Sequence, residues 1–133
     1  MIIHQSDLGR ILAIDFGTKR IGVALSDETK TIAIPKPYIL NSEKEKLVEL
    51  ARQADLEAIL IGLPVGLSGQ ETASSKKVRK FSAWLGEETH LPMHLIDERF
   101  TSKEALRFEK DRELVDSLVA QKMLERYLER IRS

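Results

Sequence analysis

Acidic residues at three places in this sequence sit where carboxylates are costly unless they are put to use. Asp15 lies near the end of the apolar run Ile11–Phe16, ILAIDF. A lone carboxylate in a buried strand must be paired or must bind a cation, and ionisable groups in such places mark sites. Asp97 and Glu98 close another apolar segment just before Arg99. Strand alternation sends them to opposite faces, Asp97 with Leu95 and Glu98 with Ile96, so one of the two looks toward Asp15. Asp116 falls at helical spacing on the side of Ala120, Met123, Tyr127 and Ile131, the expected core-facing stripe. An acidic group near a helix N-terminus is favoured by ~0.3–1 kcal/mol, which explains its charge but not the face it occupies.

Hard oxygen donors on two strand ends and a helix suit Mg²⁺ or Mn²⁺. Two such ions held about 3.5–4 Å apart can activate a water and stabilise the leaving oxygen in phosphodiester hydrolysis. Carboxylates that would otherwise repel one another gain from the metal. The spacing supports this chemistry without selecting it. Around the acidic positions lie Lys19, Arg20 and Arg99, and a denser run, Lys76, Lys77, Arg79 and Lys80, opens a helix. A run of that kind is commonly a solvated face. Its company here points instead to phosphate contacts, which position a nucleic acid without reading its sequence. His4, His90 and His94 have no metal-ligand spacing, and Trp84, on a helix stripe, is expected in the core rather than as a base-stacking platform.

Composition narrows the rest. The 133 residues fit one domain spanning 1–133, with 42% hydrophobic and 32% charged residues. There is no apolar run approaching the ~20 residues that would span a bilayer. The start, MIIHQSDLGR, lacks the basic, long-apolar form of a secretory signal, so no membrane association and a cytoplasmic location are expected. Cysteine is absent, which excludes disulfides and thiolate metal ligands. Lys and Arg number 21 and so do Asp and Glu, so any phosphate-binding surface must be local.

The elements that must position these groups alternate plainly. Ile11–Phe16 and Ile21–Ser26 read as a hairpin around Gly17-Thr18-Lys19-Arg20. A third strand covers roughly 31–40, where Pro35 and Pro37 demand an edge or a bulge. Ser42 and Glu45 form a capping-box pattern for a helix carrying Leu47, Val48, Leu50 and Ala51. Ala58–Gly62 is short and wholly apolar, as a buried parallel strand is. A loop over 63–69 leads to a helix from about Thr72 to Glu88, with Val78, Phe81, Trp84 and Leu85 on one stripe. Met93–Asp97 is the last strand. The remainder is helical in one or two pieces, with Thr101 and Glu104 as a capping box and Asp111 as a second cap. The order β-β-β-α-β-α-β-α(α) predicts an α/β mixed sheet, an antiparallel meander followed by parallel strands, flanked by helices.

Taken in order, these segments resemble the YqgF family of RNase H-like proteins, described as Holliday-junction resolvases and as precursor 16S rRNA nucleases. The resemblance rests on Asp15-Phe16-Gly17-Thr18-Lys19-Arg20-Ile21-Gly22-Val23-Ala24, on Gly62-Leu63-Pro64 with Gly69, on Asp97-Glu98-Arg99-Phe100-Thr101, and on Val115-Asp116-Ser117 before Tyr127-Leu128. It implies a five-stranded RNase H-like sheet, Mg²⁺ or Mn²⁺, and a catalytic and metal-binding set of Asp15, Glu98 and Asp116. It also implies a structured nucleic-acid partner: precursor 16S rRNA, with ribosomal precursor particles, or branched DNA. A binder of RNA that assists ribosome assembly without catalysis would keep the same fold. The chain departs from the family before the final helix. Phe108-Glu109-Lys110-Asp111-Arg112-Glu113 replaces a Gly- and Lys-containing loop, which removes the basis for substrate contacts there.

Overall fold

Strands that are apolar on both faces must be covered on both faces, and the three most apolar runs form the centre of one sheet. In the computed structural model, which describes residues 8–53, 55–97 and 112–132, the strands are β1 Arg10–Asp15, β2 Arg20–Ser26, β3 Ala33–Leu40, β4 Leu56–Leu63 and β5 Met93–Asp97. The helices are α1 Glu45–Gln53, α2 Ala73–Thr89 and α3 Arg112–Arg132. The sheet order is β3-β2-β1-β4-β5. β1 pairs antiparallel with β2, β2 antiparallel with β3, and β1–β4 and β4–β5 are parallel.

The crossovers β3-α1-β4 and β4-α2-β5 both run toward the β5 edge. Right-handed connection therefore puts α1 and α2 on one face, and α3 takes the other. Leu12, Ile14, Ile21, Val23, Ile59 and Ile61 pack beneath Leu47, Val78, Phe81 and Leu85 of α1 and α2. On the opposite face Ile11, Ala13, Ala24 and Leu60 meet Ala120, Met123, Leu124 and Leu128 of α3. Ala13 and Ala24 leave room there for a helix to come close.

Pro35 and Pro37 sit on the edge strand, as their missing N–H groups require, and the β2–β3 register shifts between Ile21 and Val23, a bulge that takes in Pro37. The Ser42–Glu45 capping box does not govern α1. The chain enters it through a 3₁₀ turn, Asn41–Glu43, that has no side-chain cap. α2 is capped by Thr72, whose hydroxyl accepts from the Ser75 N–H at 3.0 Å while Ser75 Oγ accepts from the Thr72 N–H at 2.7 Å. Ile131 is 46% exposed and leaves the expected stripe, because the core-facing side of α3 turns through Leu124 and Leu128. The expected caps at Thr101 with Glu104 and at Asp111 lie outside the described residues.

The β2–β3 turn is held by one carboxylate. Asp27 accepts from the Thr31 and Ile32 N–H groups at 2.7 and 2.9 Å and from the Thr29 hydroxyl. Burial alone would raise its carboxyl, but the bonds from Thr29, Ile32 and Thr31 outweigh burial and hold it at about 2. With its folded pKa below the ordinary 3.8, Asp27 contributes stability above that value and loses it as pH falls toward 2. Asp27→Ala should therefore lower the urea midpoint at pH 7 and flatten its decline on acidification from about pH 4 to 2. Parallel pH profiles of the two midpoints would contradict this.

Candidate active site

The site begins with a strand end, a glycine and a helix end. Asp15, the last residue of β1, shares the α3 face with Ile11 and Ala13 and is only 3% exposed. Its antiparallel partner is Gly22. A Cβ on Gly22 would lie 2.0 Å from the Asp116 carbonyl oxygen and 2.3 Å from its carbonyl carbon. The first turns of α3 thus rest directly on β2, beside Asp15, and only a glycine permits it. Just beyond, the buried Ser117 Oγ accepts from the Val23 N–H at 3.1 Å, at the edge of the β2–β3 bulge. These two contacts set the height and rotation of α3, and so place Asp116 beside the strand that ends in Asp15.

Asp116 is 18% exposed at its side chain and pairs with the 51% exposed Arg20, Nε to Oδ2 at 3.3 Å. Arg20 shares the α3 face with Gly22 and Ala24, and its guanidinium lies 5.7 Å from the Tyr38 ring centroid. A cation is thereby fixed against the Asp116 carboxylate. Such a group can contact an incoming phosphate and offset carboxylate charge before one arrives.

Asp97 is excluded from this grouping. It follows the parity of Leu95, which packs on the α1–α2 core, and is registered opposite Leu63 of that core. Ile96 packs toward α3, on the face of Asp15. Glu98 and Arg99 lie outside the described residues. Among the described residues no three His, Asp or Glu side chains gather in one group. Asp15 and the backbone of Asp116 both lie against Gly22, and the carboxylate oxygens these two residues carry suit Mg²⁺ or Mn²⁺ rather than a softer ion.

The basic positions divide. Lys19 and Arg20 are exposed where the first hairpin returns beside Asp15. The Lys76–Lys80 run lies on α2, across the sheet from Asp116, because crossover handedness puts α2 there. Within it Arg79 Nε bonds Glu71 Oε1 at 2.9 Å. That bond, followed by one from Ser75, holds the Glu71 carboxyl below its usual range. Lys76 is exposed, while Lys77 and Lys80 turn into a cleft with Phe16 and Thr18. Gly22 and Ser117 were given no role by sequence reasoning. The available clue was that both fall in matched segments at positions lacking a large side chain.

Strand order and helix placement define an RNase H-like α/β fold. In keeping with this, the chain covers 94% of itself and 96% of the Thermus thermophilus RuvC bound to a Holliday junction substrate, with a TM-score of 0.58 at 14% identity. The fowlpox virus Holliday junction resolvase gives 0.52 at 13% identity, over 91% of this chain and 99% of that one. Likeness at these identities concerns the fold. A family model described as "RuvX: Holliday junction resolvase" matches residues 9–130, and the chain belongs to this RuvX (YqgF) family. Proteins named "Putative pre-16S rRNA nuclease" are close to it in sequence. That of Koribacter versatilis is 42% identical over 92% of this chain and 88% of its own length. That of Rhodopirellula baltica is 39% identical over 93% and 79%. The protein is a nuclease, a hydrolase acting on nucleic acid. Nucleases of this fold generally use divalent metal ions.

Proposed function

We propose that this protein is a Mg²⁺- or Mn²⁺-dependent nuclease that processes the 5′ end of precursor 16S rRNA in the cytoplasm, with Asp15, Asp116 and Glu98 as its catalytic and metal-holding carboxylates. The observation that carries the reading is the seating of Asp116 on Gly22, next to the buried Asp15. When bound, the metal would supply water activation and charge neutralisation at the scissile phosphate. The protein holds the carboxylates on a rigid strand end and helix, so no reorganisation is needed as charge develops. Arg20 keeps Asp116 oriented and, with Lys19, meets phosphate oxygens from the hairpin side. The substrate follows the names of relatives that match nearly the whole chain.

The family description favours a second reading, cleavage of branched DNA by the same centre. A cleavage assay in Mn²⁺ with precursor rRNA and a four-way DNA junction side by side separates the two. The expected outcome is cleavage of the RNA, abolished by chelation. Junction cleavage alone would transfer the activity to DNA. Binding of RNA with no cleavage in any divalent metal would leave an assembly factor.

A further inference from the structure

Phe16 follows Asp15 directly, and strand alternation turns it to the opposite face of the sheet. There it packs on Phe81 with ring centroids 4.5 Å apart and planes tilted by 36°, and Phe81 in turn meets Trp84 at 5.8 Å. These three rings form one wall of a cleft of about 430 Å³, a size typical of small-ligand sites. Lys77, Lys80, Phe81 and Trp84 are spaced as one face of α2, so the wall carries two ammonium groups along its rim. A third, Lys44, comes from the end of the 3₁₀ turn and places its Nζ 4.8 Å from the Trp84 ring centroid. Asn41 Nδ2 donates to the Gly17 carbonyl at 2.9 Å and ties the cleft floor to the loop that leaves Asp15.

The charge here is one-sided. Among the described residues no carboxylate lines the cleft, although acidic and basic residues balance over the whole chain. Among the described residues neither Lys77 nor Lys80 is ion-paired. Aromatic faces with uncompensated ammonium groups beside them are what a base and its phosphates require, since stacking is tolerant of sequence and cations follow the backbone. We infer that this cleft is a subsite for an unpaired nucleotide of the nucleic acid, stacked on Trp84 with its phosphates on Lys77, Lys80 and Lys44. Lys44 covers the ring by a cation–π contact until a base replaces it. Because the cleft starts one residue beyond Asp15, the strand turns around the end of the sheet and holds a single-stranded nucleotide near the scissile phosphate. The inference rests on the nuclease reading and adds to it a demand for an unpaired flank.

Trp84 is the single tryptophan of the chain, so its emission reports this cleft alone. The full chain, kept in chelator to prevent cleavage, is titrated with a labelled oligouridylate, with a blunt duplex of equal length and with uridine monophosphate. Anisotropy and tryptophan emission are read together. The single strand should quench Trp84 and bind best. Trp84→Leu should weaken it about tenfold, within the range of one lost stacking contact, and Trp84→Phe should restore most of the loss. Lys77→Gln with Lys80→Gln, on exposed positions that cannot disturb the core, should weaken single-strand binding and flatten its salt dependence by about 0.7 log units per lost contact. The subsite is refuted, with the nuclease intact, if strands bind and are cut in Mn²⁺ while Trp84 stays silent and the double lysine variant binds as well as the parent. Quenching by the mononucleotide with none by the strand would also overturn it, as a site for free nucleotide. Failure of the parent to bind or cut any nucleic acid removes the nuclease reading and the subsite together.

Discussion

Asp15→Asn should abolish nuclease activity, by at least the 10²–10³-fold scale that follows loss of one preorganised charged group, while leaving the protein as stable as before or slightly more so. The two directions follow from one fact. At 3% exposure the Asp15 carboxylate has been taken out of water at the end of a strand otherwise made of buried apolar residues. Asparagine keeps the shape and removes the charge, so the folded state loses a desolvation cost together with the charge's share of its interactions, the two offsetting each other, and the site loses a metal donor. Urea unfolding should show a change within about 1 kcal/mol. Heat unfolding adds a second test. Millimolar Mn²⁺ should raise the melting temperature of the parent, since a ligand that binds only the folded state stabilises it by mass action, and should do little for the variant. Parent enzyme in excess chelator should match the variant in activity. Full activity of Asp15→Asn would remove this residue from the metal site, and collapse of the variant would make its role structural.

Much of this was legible in the residues themselves. Three apolar runs, broken only by Asp15, read as strands, and Pro35 and Pro37 demand a place where a missing N–H is harmless, an edge or a bulge, and they find both. Period-two alternation holds at the end of β5, where Leu95 and Ile96 face different helices, while Glu98 lies outside the described residues. Asp116 on the sheet-facing side of the last helix was readable from helical spacing. What escaped were properties of three-dimensional approach. The phosphate contacts expected of the Lys76–Lys80 run do not fix which face it occupies, and two right-handed crossovers in the same direction place α2 on the face of the sheet opposite α3. That strand order is not written in local spacing. Trp84 sits on its helix stripe as expected, but it is half-buried and its ring lines a cleft, because Lys44 arrives there from a distant turn. Ser42 had the pattern of a cap, but the chain between β3 and α1 tightens into a 3₁₀ turn that leaves it no such role. Neither Gly22 nor Ser117 advertises that a helix will rest on it.

Gly22→Ala should be strongly destabilising for one added methyl, costing about 3 kcal/mol, the upper part of the range for overpacking. The cost comes from space alone, since among the described residues the glycine with positive φ is Gly69, and Gly22 lies within β2, at its bulge against β3. The added methyl would meet the Asp116 carbonyl oxygen at 2.0 Å and the Ser117 nitrogen at 2.9 Å, and backbone of a 21-residue helix cannot step aside as a side chain can. α3 must lift from β2, giving up the Val23–Ser117 bond and part of the packing of Ala120 and Met123. Gly66→Ala is the matched control. Its methyl would also lie close, 2.1 Å, to another atom, but that atom belongs to the end of the Gln70 side chain, which can rotate away. The control should cost about 1 kcal/mol, mostly from the hydrogen bonds Gln70 makes to Ser68. Urea unfolding of the two variants measures the difference directly. Cleavage assayed at a temperature where Gly22→Ala is still folded should fall further than the folded fraction does, because the lifted helix carries Asp116 away from Asp15. Equal stabilities for the two variants would mean that α3 is not seated on Gly22, and the placement of Asp116 beside the strand that ends in Asp15 would fall with it.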